Sequence, residues 1–132
     1  MARGYRIGEV AKRLGMSVDT LRYYERIGLL PAVQRSASGL RYYGEHDLAR
    51  LRFIRRAQAM DFKLAEIASL LELREAPQRS RPAVRALAEG KLAEIDARLA
   101  ALAELRRELG ELVSACARAG ERCPILEGIE RR

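Results

Sequence analysis

Tryptophan is absent from this 132-residue chain, histidine occurs once, cysteine twice, and aromatic residues make up only 5%. So few large rings argue against a broad globular core. No apolar run approaches the roughly 20 residues that span a bilayer, so a transmembrane helix is not expected. The opening MARGYRIGEVAKRLG has no apolar h-region and does not read as a signal peptide. The expected location is the cytoplasm, where thiols stay reduced and a structural disulfide is disfavoured. His46 falls at a helix start without ligand partners and reads as a surface or capping residue. There is no histidine cluster, no phosphate-cradling glycine loop and no nucleophile with an evident base, so enzyme chemistry is not expected. The basic residues lie in a compact segment rather than along a helix backed by a large apolar face, which argues against a membrane-surface role.

Charge is unevenly placed. Residues 1–60 carry twelve Lys/Arg against five Asp/Glu, which accounts for the whole net charge of +7, and residues 61–132 balance to zero. A basic head on a neutral, charge-mixed body points to a polyanionic partner, most simply nucleic acid.

The head has a periodic pattern. Ile7, Val10, Ala11 and Leu14 fall on one helical face. Gly15 is placed to end that helix in a left-handed cap, and Ser17 is a natural N-cap for the next. The second helix runs from Val18 to about Ile27, with Leu21 and Tyr24 facing inward, and Gly28 and Pro31 close it. Two short helices joined by a tight glycine-containing turn form a helix-turn-helix, whose second helix enters the major groove. Its exposed face carries Asp19, Thr20, Arg22, Tyr23 and Arg26. PAVQRSASGLRYYGEHD then reads as a hairpin. Behind a helix-turn-helix that hairpin is a wing, with Arg35 and Arg41 flanking its tip. One of Tyr42 and Tyr43 is available to a phosphate while the other packs inward. Phosphate contacts of this kind set register and affinity rather than reading sequence. A supporting helix pair follows, from Glu45 or Asp47 to about Met60 and from about Lys63 to Leu73.

Taken together, TLRYYERIGLL, GLRYY and LRFIRRAQAMDFKLAEI make residues 5–73 resemble the N-terminal domain of the MerR family of bacterial transcription regulators. The resemblance implies a winged helix-turn-helix, a homodimer, a promoter with an overlong spacer as target, and activation of RNA polymerase there by distorting the DNA once an effector binds. It further implies that Arg22 and Tyr23 contact DNA and that Arg35, Arg41 and Tyr43 act in the wing. No contact is carried over to Leu40, where several relatives hold an aromatic.

PQRSRPAVRAL restarts a helix, with Ser80 as its expected cap and Pro82 in its first turn. Ala88, Leu92, Ile95, Leu99, Leu102, Arg106, Leu109, Val113 and Cys116 then recur at alternating spacings of four and three, an a/d heptad register. A helix of roughly 50 Å cannot bury that seam within so small a chain, so a second copy is the simplest partner. The periodicity leaves parallel and antiparallel pairs open; the resemblance implies antiparallel. The expected fold class is mainly α: a winged helix-turn-helix head over residues 1–75, a coiled-coil dimerisation helix over 80–116, and an effector loop and tail over 116–132.

The two cysteines fall in that last segment, CARAGERCPIL. Two thiolates in a loop shielded by ILEGI suit a soft, low-coordinate cation such as Cu(I), Ag(I), Au(I) or Hg(II). A structural zinc site normally takes four ligands. On the residues alone, two idle thiols are the favoured reading, because free cysteine is often just a small buried hydrophobe. The resemblance adds weight to sensing. Metal-sensing members of the family place one cysteine at the end of the dimerisation helix and a second before Pro-Ile or Pro-Leu, as do Cys116 and Cys123. Sensors of divalent ions carry a third cysteine at the start of that helix and copper-type sensors a serine; the aligned position here is Arg81, beside Ser80. That departure argues against zinc, cadmium and lead and marks Ser80 and Arg81 as a selectivity position. An iron–sulfur site would need four cysteines. A reversible Cys116–Cys123 disulfide switch, and a regulator with idle thiols and another effector, stay open beside the metal reading.

Overall fold

The computed structural model describes residues 4–31, 34–35, 41–118 and 120–131, with the side chains of 34, 35, 41, 77 and 79 outside that description. The elements in chain order are α1 (Ile7–Leu14), α2 (Val18–Arg26), β1 (Gln34–Arg35), β2 (Arg41–Tyr42), α3 (Glu45–Ala59), α4 (Leu64–Arg74), α5 (Pro77–Arg118) and α6 (Pro124–Glu130). The chain is mainly α and divides into two compact units, Met1–Val84 and Arg85–Arg132.

Local chemistry accounts for the head. Gly15 caps α1 with φ 63°, a left-handed conformation that glycine adopts without steric cost. The Thr20 amide donates to Ser17 Oγ at 3.1 Å, which caps α2. Gly28 turns the chain out of α2 at φ 83°, and the Leu29 and Leu30 amides donate back to the Tyr24 carbonyl. The amide of Gly44 donates to Asp47 Oδ2 at 2.9 Å and that of Lys63 to Glu66 Oε1 at 2.8 Å, so each helix of the supporting pair is capped from its own third residue. Between them Asp61 takes φ 73°. The Phe62 amide donates to the Ala57 carbonyl at 3.1 Å, the six-to-one closure of a Schellman cap.

One core joins these pieces. Val10, Leu14, Leu21, Tyr24, Leu48, Leu51, Ile54, Ile67 and Leu71 are buried together, with Tyr5 and Tyr43 from the strand region. The backbones of Tyr5 and Tyr43 exchange two hydrogen bonds of 2.7 Å, tying the start of the chain to the wing's return strand. Long-range side-chain bonds from three residues brace the assembly. Tyr5 donates to Glu45 at 2.6 Å, Tyr24 donates to Gln58 at 2.8 Å, and Arg50 Nε donates to the Leu29 carbonyl at 2.6 Å while its other nitrogen meets Glu75 at 3.2 Å.

The long helix begins earlier than the sequence reading placed it. Its first residue is Pro77 rather than one following Ser80. Proline at the first helical position loses nothing, because that N–H has no helical partner. Ser80 is therefore inside the helix and buried, not its cap. Pro82 lies one turn deeper than expected, where it removes a single backbone bond. The first unit runs through Val84, so the opening turns of α5 group with the head and not with the 80–116 segment.

In the second unit α5 continues to Arg118, about 60 Å from its start. Its seam finds no cover in the chain: Leu92, Leu99, Leu102, Leu109 and Val113 are each between 53% and 60% exposed, and Ile95 is half-buried. Off the seam, Arg85–Glu89 and Arg107–Glu111 form exposed ion pairs one helical turn apart, of a kind worth only a few tenths of a kcal/mol each.

Candidate functional site

The face of α2 away from the core is cationic and aromatic. Leu21 and Tyr24 point inward, whereas Asp19, Arg22, Tyr23 and Arg26 are exposed. The Arg26 guanidinium lies over the Tyr23 ring, 5.5 Å from its centre, which holds the ring while leaving it 42% exposed. Thr20 is half-buried, and its hydroxyl is 2.8 Å from Ser17 Oγ within the cap. Of the expected DNA-contacting residues on this helix, Arg22 and Tyr23 are the ones held free at the surface. The role of Arg26 in placing Tyr23 was not drawn from the sequence, although their spacing of three on a helix is its signal.

The wing is an antiparallel strand pair in which Arg35 is directly opposite Arg41 and Gln34 opposite Tyr42. That register sets the two arginines at the inner end of the Ser-Ala-Ser-Gly turn, while the turn itself and Leu40 lie outside the described residues. The two tyrosines separate as neighbours on a strand must. Tyr42 is half-exposed. Tyr43 is fully buried, its hydroxyl included. The expectation that Tyr43 acts in DNA contact is therefore corrected: its ring is core, and Tyr42 is the tyrosine the wing presents. His46 is exposed at the start of α3.

The cysteines occupy two helix ends. Cys116 lies in the last turn of α5, and Cys123 is the N-cap residue of α6, with Pro124 at its first position. Both are free thiols and half-buried. The expected closing turn ILEGI is a seven-residue helix. It lies against α5: a Cβ built on Gly128 would stand 2.8 Å from a methyl of Leu112. No group of three or more His, Cys, Asp or Glu side chains suited to a metal occurs among the described residues. The soft donors in this segment are the two sulfurs of Cys116 and Cys123, a pair whose chemistry suits a low-coordinate thiophilic ion better than a four-ligand tetrahedral site. Of the selectivity pair, Ser80 is buried and Arg81 exposed.

A capped two-helix motif with an exposed basic recognition face and a strand-paired wing defines a winged helix-turn-helix DNA-binding protein. Residues 5–73 match the MerR HTH family regulatory protein pattern, and residues 48–112 match the pattern described as MerR, DNA binding. The chain belongs to the MerR family; it is a transcriptional regulator and not an enzyme. It is 43% identical over 123 residues to the HTH-type transcriptional regulator HmrR of Rhizobium leguminosarum bv. viciae, covering 92% of this chain and 94% of that one. It is 40% identical over 126 residues to the mercuric resistance operon regulatory protein of Serratia marcescens, covering 94% and 86%. Among solved structures, the transcription regulator PbrR691 from Ralstonia metallidurans CH34 in complex with lead(II) superposes with a TM-score of 0.79 at 41% identity, covering 95% of this chain and 98% of that one.

Proposed function

We propose that this chain is a homodimeric, metal-responsive regulator that activates a promoter by distorting its DNA when Cys116 and Cys123 take up a thiophilic ion. Cu(I), Ag(I) or Au(I) is favoured and Hg(II) is the alternative. The observation that carries this reading is the pair of half-buried free thiols, one in the last turn of α5 and one at the N-cap of α6, with no group of three or more possible ligands among the described residues. Relatives named for mercury resistance and held with lead(II) support a heavy-metal effector. The two-sulfur donor set narrows it towards ions that accept two ligands.

In this mechanism α2 enters the major groove, with Arg22 and Tyr23 at the DNA and Thr20 beside them. Arg35, Arg41 and Tyr42 hold the backbone from the wing. Leu92, Ile95, Leu99, Leu102, Leu109 and Val113 pack against a second, antiparallel α5, which sets two heads at the spacing of successive major grooves. Cys116 and Cys123 would hold the cation, which would supply a cross-link between the end of α5 and the start of α6. Cys116 and Cys123 thereby fix the loop, α6 is held on α5, and the heads move into the arrangement that bends and untwists the promoter for RNA polymerase. Bending a site of this size costs on the order of 1–6 kcal/mol, within reach of such contacts. Ser80 and Arg81 stand where relatives carry a third cysteine or a serine, and on this reading they are a selectivity position.

The test is anaerobic titration of the reduced dimer with Cu(I), Ag(I), Hg(II), Zn(II) and Cd(II) against calibrated chelators, followed by reconstituted transcription. Tight Cu(I) or Ag(I) binding is expected, with weak zinc. Cys116→Ser and Cys123→Ser are expected to keep operator affinity and lose the response. Activation by metal in either variant would remove the loop as the sensor.

A further inference from the structure

Where α6 meets α5 there is no room for a side chain. A Cβ on Gly128 would stand 2.8 and 2.9 Å from the two Leu112 methyl carbons and 3.4 Å from Leu112 Cγ. At Gly90, Gly110 and Gly120, in the same unit, an added Cβ would meet nothing within 4 Å. Both Leu112 methyls face the glycine, so turning about the Cβ–Cγ bond can clear one of them but leaves the other in place. Turning about Cα–Cβ is restricted on a helix to two common positions. Glycine also weakens a helix relative to alanine, and a helix of seven residues has little stability of its own. Its presence in mid-helix fits a need for close approach.

The two contact residues are tied to the two thiols. Cys116 is four residues beyond Leu112, one turn along the same face of α5. Cys123 is the N-cap of the helix that carries Gly128, and Pro124 stiffens the backbone between them. A displacement of α6 at Gly128 therefore moves Cys123 relative to Cys116.

We infer that Gly128 is a positioning residue for the cysteine pair: its close approach to Leu112 sets the separation of Cys123 from Cys116. The functional weight of this inference rests on the metal-sensing reading, whereas its geometry does not. The experiment uses the full-length reduced protein and three forms: wild type, Gly128→Ala, and Gly128→Ala with Leu112→Ala, which makes room for the added methyl. Alkylation of each thiol by iodoacetamide is followed without metal by peptide mass, and affinity for Ag(I) and Hg(II) is measured by chelator competition. Gly128→Ala is expected to raise the Cys123 rate several-fold, leave the Cys116 rate nearly unchanged, and weaken metal binding by about 10-fold or more, the usual effect of losing support around a ligand. The double variant is expected to recover both. An unchanged Cys123 rate in Gly128→Ala would show that Leu112 swings aside and would overturn the inference; so would a double variant that recovers neither property. If the rates shift and recover but the wild type binds neither ion tightly, positioning stands and the metal-sensing reading falls.

Discussion

The head and the long helix solve the same problem in opposite ways. Every buried apolar residue, from Tyr5 to Leu71, belongs to the head, and none to α5 or α6 among the described residues. The apolar residues of α5 are as regular as those of the head, yet Leu92, Leu99, Leu102, Leu109 and Val113 stay more than half exposed along the seam. Full burial of a leucine or valine side chain contributes about 1.5–3 kcal/mol. The head realises that gain within one chain, whereas in the proposed homodimer the helix would realise it against a second copy. On that proposal the head is a folding unit and the seam an assembly unit.

The largest expected effect separates the two. Leu99→Asp with Leu102→Asp would bury two unpaired carboxylates in the dimer seam and is expected to abolish the dimer at micromolar concentration, while the far-ultraviolet signal of the head persists. Ile54→Ala, in the core of the head, is expected instead to cost about 2–5 kcal/mol in urea unfolding whatever the protein concentration. Sedimentation equilibrium and denaturation on both variants decide the matter. A dimer that survives the seam substitutions would assign assembly elsewhere.

A smaller effect tests what the head does. Arg22→Ala is expected to weaken operator binding by about 1–3 kcal/mol, with relaxed discrimination at the base pairs it faces. Tyr42→Phe is expected to cost less, because it removes one hydroxyl and keeps the ring. Fluorescence anisotropy on operator and scrambled duplexes at a fixed moderate salt concentration measures both. An unchanged operator affinity for Arg22→Ala would end the assignment of α2 as the recognition helix.

The helix boundaries of the head are legible because it is written in local signals. Gly15, Ser17 and Gly28 punctuate α1 and α2 where the sequence alone puts them, and the Arg35–Arg41 pairing follows from the hairpin turn. Long-range choices were less legible. Strand alternation requires Tyr42 and Tyr43 to face opposite ways, but the one that turns inward is fixed by the bridge from Tyr43 back to Tyr5 at the start of the chain, and not by its neighbours. The left-handed cap at Asp61 was missed because aspartate there reads as an ordinary polar turn. The start of α5 was placed late because a serine announces a cap more plainly than Pro77 announces a first turn. In the cysteine segment the residue types were plain, but the part played by Gly128 depends on Leu112, sixteen positions earlier, and no local pattern shows it.

The smallest effect bears on how far the helix depends on its partner. Gly90 and Gly110 each interrupt α5 with a residue that weakens a helix, and in the single chain a Cβ at either would meet nothing within 4 Å. By the logic that governs the head, where one chain determines the packing, Gly90→Ala and Gly110→Ala should each stabilise the protein by about 1 kcal/mol. The expected outcome is a gain of that size at both positions in urea unfolding at constant dimer concentration. Gly110 adjoins Leu109 in the seam, so the sign there is informative. A loss at Gly110 beside a gain at Gly90 would mean that the second copy's backbone passes close to Gly110. The glycine would then be a feature of assembly, set by a surface that the single chain does not contain.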